Sequence, residues 1–144
     1  MRTLARVSLT FLFLQCVAST VAWACSCNSE ESTPAERLDA HEKVFVGEVL
    51  DGPHARGCGL VTSSIDPVTY TLAVTEAFKG VTEGDDITLK TQRSGVSCGL
   101  EMEVGESRLI YTYADDDWVS LCGPGGLAAE SAEEIVALRA AVAE

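Results

Sequence analysis

The chain of 144 residues is poor in the side chains most often asked to do chemistry. It has only two histidines, His41 and His54, which excludes a catalytic zinc held by three histidines. Ten Lys and Arg stand against twenty-two Asp and Glu, a formal charge of −12, so neither nucleic acid nor an anionic membrane is an expected partner. No nucleophile, base and acid stand at a recognisable catalytic spacing and there is no phosphate loop, so no enzyme and no cofactor are expected. The one long apolar stretch, Leu9 to Val21, is thirteen residues broken by Gln15, Ser19 and Thr20. That is well short of the roughly 20 residues a membrane-spanning helix needs. There is no internal repeat and no linker.

What is present is enough for one domain with a core: 47% apolar and 22% charged residues. Six cysteines are the loudest compositional feature, and the first residues suggest where they operate. Arg2 and Arg6 make a basic start, the apolar stretch follows, and Ala22-Trp23-Ala24 puts small residues at −3 and −1 of a cleavage site. Residues 1–24 are therefore expected to be a signal peptide, and residues 25–144 a secreted domain, periplasmic if the cell has an outer membrane. An acylated Cys25 is disfavoured, because Ala22 is small for −3 of a lipoprotein site and Trp23 is bulky at −2. The mature chain would then have eight basic and twenty-two acidic residues, a charge of −14, and no membrane contact. It would keep five cysteines, Cys25, Cys27, Cys58, Cys98 and Cys122, an odd number that leaves fifteen ways to form two bridges.

Thr33-Pro34-Ala35-Glu36 predicts a capped short helix ending near Ala40 or His41. Val44 to Leu50 is strand-like, with Gly47 marking a bulge or a close approach, and a loop from Asp51 to Asp66 follows. Val68, Tyr70, Leu72 and Val74 alternate with Thr69, Thr71 and Thr75 along a strand to Phe78, and Ile87 to Thr91 alternates likewise. Arg108 to Tyr113 and Trp118 to Cys122 are read as the last two strands, joined by an Asp115-Asp116-Asp117 turn in solvent. Ser131 to Glu134 is read as a second capping box, opening a helix with Ile135, Leu138 and Val142 on its apolar side. The two histidines are expected to be exposed and without partners. The expected fold is mainly β: a five-stranded, closed, OB-like barrel with a short N-terminal helix and a longer C-terminal one.

Several short motifs fall along this outline in order: Cys25-Ser26-Cys27, Phe45-Val46-Gly47-Glu48-Val49, Phe78-Lys79-Gly80, Ser97-Cys98-Gly99, Gly105 through Tyr111, and Cys122. With them the chain resembles the N-terminal domain of the tissue inhibitors of metalloproteinases, within the netrin-like superfamily. The resemblance implies two disulfides, Cys25 with Cys98 and Cys27 with Cys122, and leaves Cys58 as a free thiol. They would close loops of 73 and 95 residues, each stabilising by roughly 4 kcal/mol in the chain-entropy model. The family's third bridge and its Cys-rich second subdomain have no counterpart here.

The resemblance also implies an activity, that of a monomeric inhibitor of zinc metalloproteases. The α-amine and carbonyl oxygen of a mature N-terminal Cys25 would chelate the protease's zinc, displacing the water it needs for hydrolysis. Ser26 would enter the specificity pocket, with Cys27, Asn28, Val96, Ser97 and Cys98 as flanking contacts. The alternative is a secreted netrin-like binding or adhesion module without inhibitory activity. A zinc site built from Cys25, Cys27 and Cys98 is disfavoured by oxidation outside the cytosol. The Asp115–Asp117 run lacks the spacing and glycine of a calcium loop.

Overall fold

The computed structural model describes Cys27 and residues 32–55, 66–93, 98–113 and 117–143. Two helices and five strands run in the order α1 (Pro34–Ala40), β1 (Val44–Ala55), β2 (Val68–Lys79), β3 (Asp86–Thr91), β4 (Ser107–Tyr111), β5 (Gly125–Leu127) and α2 (Ala132–Ala141). The strands form one antiparallel sheet in the order β3-β2-β1-β4-β5. It is mainly β, as expected, but the sheet is open and not a closed barrel. The segment expected to be the fifth strand, Trp118 to Cys122, forms no ladder. Trp118 makes only isolated bridges, to Lys90 at the end of β3 and to Tyr113 just past β4. Asp117 at φ 53 and the turn closed by Gly123 N–H on the Ser120 carbonyl bend the chain on either side, so pairing cannot propagate.

The fifth strand is instead Gly125–Leu127, directly after Pro124. Gly125 has φ 96, and a Cβ there would sit 2.3 Å from the Leu109 carbonyl oxygen. Only glycine lets β5 approach β4 this closely. β1 also runs five residues beyond its expected end at Leu50. Register shifts between Val49 and Asp51 and between Asp51 and His54 absorb Gly52 and Pro53, which a regular ladder would reject. Gly47 sits at another shift in the same ladder.

Both faces of the sheet are covered. The alternation of β2 buries Val68, Tyr70, Leu72 and Val74, which join Phe45 and Val49 of β1, Leu89 of β3 and Ile110 of β4 in the larger cluster. On the opposite face Val44, Val46, Leu109 and Tyr111 meet Ile135 and Leu138 of α2. Burying Ile135 and Leu138 stabilises the docked helix by roughly 1.5–3 kcal/mol each. Val142, expected on this stripe, lies past the helix end and is exposed.

The two predicted caps diverge. At α1 the box forms in full: Thr33 Oγ1 accepts from Glu36 N–H, and the Glu36 carboxylate accepts from Thr33 N–H at 2.8 Å. At α2 Ser131 has φ −99 and ψ 17, away from the extended conformation of a capping residue, and makes no side-chain cap bond, while the Glu134 carboxylate that would form the other half of a box is held by Arg37 and Tyr111.

Candidate functional site

Three of the cysteine-bearing segments converge beyond the end of β3. Cys27 and Cys122 are joined by a disulfide, Cα atoms 5.0 Å apart across 95 residues of chain. Cys98 is also disulfide-bonded. Cys25, the partner implied for it, lies outside the described residues, as do Ser26, Asn28, Cys58, Val96 and Ser97. Cys98 has φ 55, and its carbonyl accepts from Leu121 N–H at 3.3 Å, so its loop lies against the residue preceding Cys122.

The Cys98 loop is in turn pressed onto the end of β3. A Cβ on Gly99 would fall 1.7 Å from the Gln92 carbonyl oxygen, so the close approach requires glycine. Leu100 N–H donates to Thr91 Oγ1 at 2.9 Å, which satisfies the buried Thr91 hydroxyl. A hollow opens beside Cys98, lined also by Gln92, Trp118, Val119 and Ser120. Tyr113 and Leu121 stay largely exposed nearby.

On the α1 side, a charged network ties this N-terminal stretch to the last helix. Arg37 donates from Nε to Ser32 Oγ (3.0 Å), from Nη2 to the Ser32 carbonyl (2.8 Å) and from Nη1 to Glu134 Oε1 (2.6 Å). Tyr111 Oη donates to the same Glu134 oxygen at 2.6 Å. Burial first, and the adjacent Glu134 carboxylate second, push the Tyr111 phenol well above its ordinary value. No spacing in the sequence links Arg37 to Glu134, 97 residues away, so this network was not foreseen.

The histidines differ from expectation. His41 is buried, 7% exposed, with its ring edge-on to Tyr111 and tilted against Tyr113. Its Nδ1 lies 2.7 Å from the Arg37 carbonyl, which only accepts, so Nδ1 carries the proton. The end of α1 turns the ring inward, where an amphipathic edge fits between two phenols. His54 is exposed but partnered, with Nε2 2.8 Å from Asp51 Oδ2. That bond, and then the Gly52 N–H, hold the Asp51 carboxyl below its usual range. Of the acidic run, Asp115 and Asp116 lie outside the described residues, whereas Asp117 is paired with the Lys43 ammonium and not simply solvated.

Among the described residues no group of three or more His, Cys, Asp or Glu is placed to hold a metal ion. Among the same residues no helix is long and apolar enough to cross a membrane. Neither a protein-family model nor a curated protein matches the chain.

Proposed function

We propose that the chain is an exported, netrin-like inhibitor of zinc metalloproteases, acting from residues 25–144 after removal of residues 1–24. The observation that carries this reading is the meeting of Cys27, Cys98 and Cys122: one bridge joins Cys27 to Cys122, and the Cys98 backbone lies against Leu121. A mature N-terminus at Cys25 would be only two residues from the staple at Cys27.

The chemistry needed is small. The α-amine, with an ordinary pKa of roughly 8, loses its proton readily when a metal competes for the lone pair. Together with the Cys25 carbonyl oxygen it closes a five-membered chelate on the protease's zinc, at the position the hydrolytic water occupies. Ser26 reaches into the specificity pocket, while Cys27, Asn28, Val96, Ser97 and Cys98 flank it. The Cys27–Cys122 staple removes part of the ordering cost that a flexible peptide would meet on binding.

The test is to prepare the processed protein with Cys25 first and assay it against a panel of zinc endopeptidases. Stoichiometric inhibition is expected, and a variant with one Ala added before Cys25 should keep its fold and lose the activity. Equal potency of the two forms excludes the chelate. No inhibition by the processed form across the panel leaves the non-inhibitory binding module as the better reading.

A further inference from the structure

Asp51-Gly52 is the one Asp-Gly step in the sequence. It falls where the β1–β2 ladder slips: Asp51 is paired with Thr71 and His54 with Thr69, and Gly52 and Pro53 are left between them without a place in the register. In a regular ladder the Gly52 amide would be spent on the neighbouring strand. Here its N–H donates to Asp51 Oδ1 at 2.9 Å, so the nitrogen points at the side chain of its own predecessor. The other carboxyl oxygen, Oδ2, lies 2.8 Å from His54 Nε2. A carboxylate oxygen only accepts, so Nε2 carries a proton. The Asp51 side chain is 66% exposed and that of His54 61%, so water reaches both. Among the described residues no other charged group acts on the Asp51 carboxyl.

An amide nitrogen held against a carboxyl group is set to close a five-membered ring on it. The Gly52 nitrogen gives up its proton and attacks Asp51 Cγ, forming the N–Cγ bond while the Cγ–Oδ2 bond breaks. Oδ2 departs as water, its hydrogens being the one lost by the Gly52 nitrogen and the one given by His54 Nε2; His54 regains a proton from solvent. Water then adds to the ring carbonyl that belonged to the Asp51 main chain and breaks its bond to the Gly52 nitrogen. The product is isoaspartate, an isomer of the starting chain, with nothing oxidised or reduced. Proximity turns the attack into an intramolecular step, and glycine puts no side chain in its way. An ionised carboxylate is a poor electrophile, so the departing oxygen needs a proton, and His54 is the donor in place to give it.

We propose that Asp51, Gly52 and His54 form a self-modifying site, at which the chain converts Asp51 to isoaspartate with His54 as the acid. The proposal is independent of the inhibitor reading. Its consequence is local: the main chain gains a methylene at residue 51, and beyond it the pairing of His54 with Thr69 and Ala55 with Val68 loses its register.

The test incubates the folded, oxidised protein for weeks near neutral pH in heavy-oxygen water, then maps the peptide holding residues 51–54. Conversion should place one labelled oxygen at residue 51, with the iso linkage read by fragmentation. His54→Ala and His54→Gln should both convert at least about tenfold more slowly, modest beside the ~100-fold or more of a fully positioned acid, because water also reaches this carboxyl. Gln keeps a hydrogen-bond donor near Oδ2 but passes on no proton, which separates proton transfer from simple orientation. Asp51→Asn reaches the same ring by losing ammonia and should convert readily, showing that the fold permits closure. An Asp51→Asn variant that does not convert, or wild type that takes up no label, overturns the proposal. So does a wild-type or faster rate in either His54 variant, since His54 would then only hold the carboxyl in its unreactive, ionised form.

Discussion

Leu138 offers the sharpest test of how α2 is held. Its side chain is fully buried and packs with Val44, Val46, Phe78, Leu109, Tyr111 and Ile135, the cluster between α2 and the sheet. Leu138→Ala removes three carbons; at about 0.8 kcal/mol per methylene this costs about 2.4 kcal/mol in transfer alone. The cavity left behind adds to it, because a sheet packed on both faces has little freedom to collapse inward. A total of about 3–4 kcal/mol is therefore expected, within the range seen for buried Leu→Ala changes. Against a domain stability of about 5–15 kcal/mol the variant still folds. In non-reducing urea titrations with a slope of about 2 kcal/mol per molar, the midpoint should fall by about 1.5–2 M. Val136→Ala, two residues away and 61% exposed, is the control and should stay within about 0.5 kcal/mol of wild type. Equal midpoint shifts in the two variants would mean that this face of α2 is not what docks it, and the assignment of the second core would be wrong.

Two further predictions concern the sheet edge and acid. Gly125→Ala should cost more than about 1 kcal/mol and loosen β5, read as faster amide exchange at residues 125–128, because the new methyl must push the backbone off Leu109; wild-type stability would refute the close approach. Glu76 lies below the usual carboxyl range chiefly through its hydrogen bond from Arg139, and Glu36 chiefly through the Thr33 backbone N–H. A carboxyl lowered by folding stabilises above its unfolded value and loses that contribution as pH falls through the folded one. Urea midpoints should accordingly drop between about pH 5 and pH 3, and Glu76→Gln should flatten part of that drop; an unchanged slope in the variant would show that the Arg139 pair contributes nothing.

Much of the sheet was legible because its signals are local. Strict alternation from Val68 to Val74 and the Thr33-Pro34-Ala35-Glu36 cap are decided within a few residues, and both appear where the sequence puts them. The errors fall where a distant backbone decides. Trp118 to Cys122 has strand-like residues but is bent away by turns on both sides, and Gly125-Gly126-Leu127 becomes a strand only because β4 lies beside it. Ser131 looks like a cap, but its backbone is not extended there, and Arg37, from the other end of the chain, holds the Glu134 carboxylate. His41 reads as a polar residue after a helix, and only the two tyrosines around it make burial acceptable. For the candidate site, the Cys27–Cys122 bridge was anticipated through the resemblance, whereas the Arg37–Glu134–Tyr111 network was not. Hydrogen bonds between side chains 97 residues apart leave no periodic trace in a sequence.

Two long ties among the described residues have a consequence in time. Cys27 finds its bridge partner 95 residues later, and Arg37 its carboxylate 97 residues later. At about 5–20 residues per second, a ribosome takes roughly 5–20 s to make that intervening stretch. Throughout that interval the first helix has its local cap and, once Lys79 is made, the bonds from Lys79 to the Leu38 and Asp39 carbonyls, but not Glu134. The β1–β2 and β2–β3 pairings are complete in sequence well before then. The partners of the middle strands are thus available first, and the ties to Cys122 and Glu134 last. A release assay on stalled chains truncated before and after Glu134 should see Ser32 become protected only in the longer one.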